Sequence, residues 1–187
     1  MDEQGGRGIG INSYALVSYL SGPLAEFLDG LRERLAPGCV ARAHITVLPP
    51  RPIAGTAASA WHELAQRLQE FPPFAVELGE VQVFGESQVI YVAVKAGGVE
   101  LEHMHRALNR GPVAFEEPFA YHPHITLAQV LVSETVPSTL EQARRLWEQS
   151  PRPRGFVLDR LTFVRNTLEN HWMDLAAADL TGQIISR

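Results

Sequence analysis

The chain has 187 residues, 45% of them apolar and 20% charged. That is enough for one folded domain with its own core, and too apolar for wholesale disorder. It carries 16 basic residues against 21 acidic ones, a formal net charge of −5, which argues against a surface that grips long double-stranded nucleic acid through clustered Lys and Arg. The lone cysteine, Cys39, cannot form an intrachain disulfide or by itself a zinc–thiolate site. The polar, Gly-rich start from Met1 to Gly10 lacks the apolar stretch of a signal peptide, and no run approaches the roughly 18 apolar residues of a membrane span. The expectation is a cytoplasmic protein with no membrane partner, monomeric or weakly associating.

Residues 13–20 are β-branched and aromatic enough for a first strand. After Gly22-Pro23, the positions Leu24, Phe27, Leu28, Leu31 and Leu35 follow helical spacing until Pro37-Gly38. Residues 42–48 form a short strand closed by Pro49-Pro50, and 57–70 a helix with Trp61, Leu64, Ala65 and Leu68 on its inner face. A strand over 74–84 turns through Gly85-Glu86-Ser87-Gln88 into a hairpin partner at 89–94. Leu101, Met104, His105 and Leu108 mark a third helix. A strand at 122–128, a helix at 137–149, a strand at 156–164 and a last strand at 171–180 complete the chain.

The second half repeats the first. His44-Ile-Thr-Val47 and His124-Ile-Thr-Leu127 lie 80 residues apart, and at the same offset Val76, Leu78, Val81 and Val83 fall on Phe156, Leu158, Leu161 and Phe163. Each half reads as a β-α-β-α-β unit, about 11–84 and 89–180, with extra strand material near 89–94 and 171–180. Two copies are too few for a solenoid. The expected fold is a single α+β domain over 1–187, duplicated and two-lobed. Each lobe is an antiparallel-type sheet with helices on its outer face, and a cleft lies between the lobes.

Residues i and i+2 of a strand share a face. His44 and Thr46 therefore point one way while Ile45 and Val47 point into the lobe, and His124 and Thr126 do the same in the second copy. Two imidazoles flanked by two hydroxyls suit phosphoester cleavage. One neutral imidazole accepts a proton from the attacking group while the other, protonated, gives one to the leaving oxygen. The hydroxyls donate to the non-bridging phosphate oxygens. A single such tetrapeptide is a weak signal; two at equivalent points of an internal repeat are a strong one.

The paired motifs resemble those of the 2H phosphoesterase superfamily. Their surroundings, Ala43-His-Ile-Thr-Val-Leu-Pro-Pro50 and Tyr121-His-Pro-His-Ile-Thr-Leu-Ala128, are most similar to its bacterial 2′-5′ RNA ligase-like branch. The resemblance spans about Tyr14 to Leu180. It implies a metal-independent, cofactor-free cleft that hydrolyses 2′,3′-cyclic phosphates of nucleotides or RNA ends to 2′-phosphates, with ATP-independent 2′-5′ ligation as the reverse reaction. His44 and His124 carry over as the acid/base pair, and Thr46 and Thr126 as phosphate ligands. The partner implied is a small cyclic nucleotide or an RNA 3′ end. Where that branch often places a basic residue after the second motif, this chain has Gln129.

Arg42, two residues before His44, and Arg51, after the two prolines, are the candidates to supply the missing charge. The plainer reading of each is a solvated surface cation. His122 shares a face with His124 and stands at the repeat position of Arg42, although Pro123 suggests an edge or bulge there. Tyr121 is a candidate to stack a nucleobase, against the reading that strict alternation turns it into lobe packing. Trp172 fits core or cleft equally. His103 and His105 sit on a helix about 200° apart, so they cannot chelate one ion together, and His105 reads as a core histidine. Two other functions compete with the hydrolase: a nucleotide- or RNA-end-binding module of the same fold, and a zinc hydrolase using His44, His122 and His124. The zinc reading is weakest, because no carboxylate stands at ligand spacing from the motif histidines.

Overall fold

The computed structural model describes residues 10–38, 42–129, 131–169 and 171–182. Cys39 and the segment 1–9 lie outside the described residues. Among the described residues, eight strands and four α-helices follow one another as β1 (Gly10–Tyr19), α1 (Gly22–Leu35), β2 (His44–Arg51), α2 (Ala57–Leu68), β3 (Phe74–Val83), β4 (Ile90–Ala96), α3 (Gly98–Leu108), β5 (His124–Ala128), α4 (Val136–Glu148), β6 (Gly155–Leu158), β7 (Arg160–Thr167) and β8 (Trp172–Asp179). Local chemistry explains several boundaries. Pro23 opens α1, where its missing N–H costs nothing. Thr56 and Ser59 close a reciprocal capping box at the start of α2. No helix among the described residues is long and apolar enough to cross a membrane.

The strands form two antiparallel four-stranded sheets, β2-β1-β7-β8 and β5-β4-β3-β6. The α+β class and two-lobed arrangement agree with the sequence reading. The lobes, however, are not the two halves of the chain. The third strand of each half crosses over: Val83 of β3 pairs with Ile90 at the start of the second half, and Phe163 of β7 pairs with Leu16 of β1. The segment 89–94, expected as extra material, is thus the second half's own first strand. Residues 156–164, expected as one strand, divide at Asp159. β6 joins β3 in one sheet and β7 joins β1 in the other.

The internal symmetry survives this exchange. Val76 lies directly opposite Phe156, and those residues are separated by the same 80 positions as the two motifs. In an antiparallel pair a twofold axis relates a residue to its direct partner, so the pseudo-twofold passes between β3 and β6. One continuous core spans both sheets, running from Leu16, Leu28 and Ile45 through Leu64 and Val76 to Ile90, Met104, Ile125 and Phe163. Trp147 of α4 is buried in it, and its indole N–H donates to the Gly79 carbonyl at 2.9 Å.

Two strand ends also differ from expectation. β2 continues through Pro49 and Pro50 to Arg51, which pairs with Tyr14. It can do so because β2 is an edge strand and needs no donor on its free side. β5 starts at His124, not at His122, because Pro123 offers no N–H to begin a ladder.

Candidate active site

β2 and β5 are the edge strands that meet where the two sheets join. On each strand the apolar members point inward: Ile45, Val47, Ile125 and Leu127 are fully buried. His44, Thr46, His124 and Thr126 are half-buried on the opposite face. Cross-strand partners carry the same symmetry into the next strand. Tyr19 and Val17 of β1 stand opposite His44 and Thr46, while Ala93 and Tyr91 of β4 stand opposite His124 and Thr126.

The two imidazoles are held alike. His44 Nδ1 lies 2.7 Å from the Arg42 carbonyl, and His124 Nδ1 lies 2.7 Å from the His122 carbonyl. A carbonyl only accepts, so Nδ1 carries the proton in both rings and Nε2 is the nitrogen left to exchange protons. Burial lowers both pKa values from that of an ordinary histidine. The positive charges of Arg32 and Arg42 and the neighbouring His124 lower His44 further, and His122 does the same to His124. The hydrogen bonds to the carbonyls oppose these effects without outweighing them. Burial therefore favours the neutral form of both rings in the resting protein.

The surroundings of the two rings are unequal. Beside His44, the Tyr19 ring presents its edge at 6.1 Å, and Tyr19 donates its hydroxyl to Asp174 at 2.8 Å. Arg42 lays its guanidinium 3.6 Å above the Tyr19 ring and bonds Asp174 at 2.6 Å. Burial and the Asp174 carboxylate push the Tyr19 phenol up to about 12. Trp172 is on this side too, packed with Ala15, Val17 and Val164 on the face that carries Tyr19. Beside His124 the walls are aromatic. Phe84 stacks on Tyr91 at 4.0 Å, and both meet the His124 ring nearly edge-on at 5.0 and 5.3 Å. His122 is exposed and also meets Phe84 and Tyr91 edge-on.

A cavity of about 590 Å³ opens here, lined by Thr46, His124, Thr126, Tyr121, His122 and Gln129 together with Phe84, Phe115 and Phe119. His44 stands outside this lining. Tyr121 packs inside the protein, one of the two readings weighed for it, and also borders the cavity. Its hydroxyl donates to the Thr46 carbonyl at 2.8 Å and its ring lies flat on His105 at 4.1 Å, tying the two motif strands together. His105 is buried, as expected, and its Nδ1 lies 2.8 Å from the Val47 carbonyl. Arg32 of α1 donates to the Thr126 carbonyl from the other side.

Arg51 corrects the sequence reading. It is only 2% exposed and is not among the residues that line the cavity. Its Nε donates to Pro49 O at 2.8 Å, its Nη1 to Asn109 Oδ1 at 2.8 Å and to Val113 O, and its Nη2 pairs with Glu117. The strand that runs through the prolines puts Arg51 on the inner face, where it anchors the loop leading to Tyr121. Sequence reasoning missed Tyr19, Phe84, Tyr91, Phe115 and Phe119. Tyr19 and Tyr91 become visible only through the cross-strand register, and the other three through the folding-back of two loops.

Two antiparallel sheets with a His-x-Thr strand at each meeting edge define a two-lobed phosphoesterase-type fold. The 2′-5′ RNA ligase superfamily matches residues 21–170, and the chain belongs to that family, within the 2H phosphoesterases its motifs resemble. It is 29% identical over 127 residues to a Geobacillus thermodenitrificans protein bearing the provisional name phosphoesterase, a match covering 63% of this chain and 69% of that one. In structure it is similar to a crystallised phosphoesterase, with a TM-score of 0.62 and 15% identity over 94% of this chain and 99% of the other. It is also similar to E. coli LigT crystallised with 3′-AMP, with a TM-score of 0.61 and 17% identity over 91% and 99%. At such identities these structures establish the shared fold.

Proposed function

We propose that the protein is a metal-independent phosphodiesterase that hydrolyses 2′,3′-cyclic phosphates of nucleotides or RNA ends to 2′-phosphates, with His44 and His124 as the acid/base pair. The observation that carries this reading is the matched clamp on the two rings, each Nδ1 held by a carbonyl two residues upstream, beside two threonines on the same strands. In the reaction one neutral Nε2 takes a proton from water as its oxygen attacks phosphorus. The P–O3′ bond breaks, and the other ring, protonated, gives its Nε2 proton to O3′. Thr46 and Thr126 donate to the non-bridging oxygens as negative charge builds there. The rings end with their protonation exchanged, and solvent restores it. With a 5′-hydroxyl as the attacking group, the same steps form a 2′-5′ linkage.

The test is hydrolysis of a panel of 2′,3′-cyclic nucleotides. Turnover to the 2′-phosphate is expected to persist in EDTA, and loss of activity on chelation would overturn the metal-independent mechanism. The pH dependence carries a second expectation. Both rings are lowered in the free protein, and kcat/KM reports free-enzyme ionisations. The bell should therefore peak below about 6.5, the ordinary histidine value, and an optimum above 7 would contradict the site described here.

A non-catalytic nucleotide-binding module remains the second reading. It is favoured by the same lowered pKa values, which disfavour the protonated ring that the acid step needs. A single-turnover assay separates the two, because a binder releases the cyclic phosphate unchanged.

A further inference from the structure

The cavity beside His124, at about 590 Å³, falls within the range that encloses one small-molecule ligand. Its lining is rich in rings and poor in positive charge. Phe84, Phe115, Phe119 and Tyr121 line it, whereas none of the described lining residues is Lys or Arg, and two are glutamates, Glu86 and Glu117. The arginines nearest the motifs are engaged within the protein: Arg32 donates to the Thr126 carbonyl, Arg42 is held by Asp174 and Tyr19, and Arg51 pairs with Glu117. Arg51 thus neutralises Glu117. Glu86, exposed on the turn between β3 and β4, stands at the cavity wall.

The rings are disposed to hold a flat, apolar group. Phe84 is backed by Tyr91 at 4.0 Å and so forms a fixed platform, while Phe119 leaves 68% of its surface in water. A strand of RNA needs cations along its phosphates. A nucleoside needs only the stacking surface.

We propose that the substrate is a 2′,3′-cyclic mononucleotide with a free 5′-hydroxyl. Its base packs against Phe84 and Phe119, and Glu86 turns away a 5′-phosphate or a preceding nucleotide. This assignment rests on the reading that His44 and His124 flank the cyclic phosphate, and it chooses between the two substrates that reading leaves open.

The experiment compares 2′,3′-cyclic AMP, its 5′-phosphorylated form, and a short oligoadenylate ending in a 2′,3′-cyclic phosphate. The mononucleotide with a free 5′-hydroxyl should lead both others by about tenfold in kcat/KM. Its KM should change less than about threefold between 50 and 200 mM salt, as expected where no more than one phosphate charge is neutralised. Phe119→Ala should raise that KM about tenfold with little change in kcat, the usual effect of losing one stacking ring. Because Phe119 is exposed, this variant should fold normally. Glu86→Gln should improve the 5′-phosphorylated substrate relative to the unphosphorylated one by about threefold at low salt. Equal or faster turnover of the oligonucleotide, or a KM that climbs steeply with salt, would overturn the proposal.

If nothing is turned over, calorimetry with 2′-AMP and adenosine 2′,5′-bisphosphate separates the two questions. Tighter binding of 2′-AMP, weakened in Phe119→Ala, would uphold the substrate assignment while removing the catalytic reading. Tighter binding of the bisphosphate would overturn the assignment, and binding of neither would overturn both.

Discussion

His44→Ala and His124→Ala are each expected to lower kcat on a 2′,3′-cyclic nucleotide by about 10²–10⁴-fold, the usual worth of one positioned acid or base. The effect should fall on kcat more than on KM, because the Nε2 protons move only as the P–O bonds form and break. Neither change should unfold the protein: both rings stand on the cleft face, opposite the apolar residues that build the core. The double variant should lose far less than the product of the two single losses, since the rings hand one proton around a shared phosphate and act as a unit. Measuring kcat for the four proteins under one buffer condition decides the matter. Wild-type turnover in either single variant would remove the two-histidine mechanism, and fully multiplicative losses would show the rings acting independently.

Arg51→Leu should destabilise the fold by about 3–5 kcal/mol, the cost of breaking a buried ion pair from one side. The guanidinium satisfies two backbone carbonyls, Asn109 and Glu117, so its removal leaves a largely buried carboxylate and several acceptors without their donor. Replacing Glu117 by Leu in the same chain should recover part of the loss, because the unpaired charge is then gone. Denaturant unfolding gives the comparison: a lower midpoint at unchanged slope for Arg51→Leu, and a partial return in the double variant. Full stability with lost activity would instead restore the role expected from the sequence, a cation that faces the substrate.

That contrast shows where the sequence was legible. Strict alternation in His44-Ile-Thr-Val47 and His124-Ile-Thr-Leu127 tells which side chains face the core, because two consecutive residues of a strand cannot share a face. The 80-residue offset shows that both strands occupy equivalent positions. The same alternation fails at Pro49-Pro50 and at Pro123, where a missing N–H decides how far a ladder runs. Arg51 and His122 were therefore harder to place than His44 and His124. The two prolines before Arg51 read as a loop, and only an edge strand lets the β-ladder continue through them.

Strand partnership was hidden for a different reason. Periodicity records which face of a strand is buried and carries no information about which strand lies beside it. The division of 156–164 between two sheets leaves the apolar pattern Phe156, Leu158, Leu161, Phe163 intact, because both parts feed one continuous core. The aromatic wall followed the same rule. Tyr91 reaches the site through its register opposite Thr126, and Phe84 through stacking on Tyr91.

The sequence by itself determined the α+β class, the duplication and the four residues of the two motifs, since each is written in local spacing that a single strand or helix enforces. The tertiary structure alone decided the exchange of third strands, the burial of Arg51, the aromatic walls beside His124 and the carbonyl clamps on both histidines. Each of those depends on contacts between residues brought together by pairing and loop closure, and local spacing does not encode them.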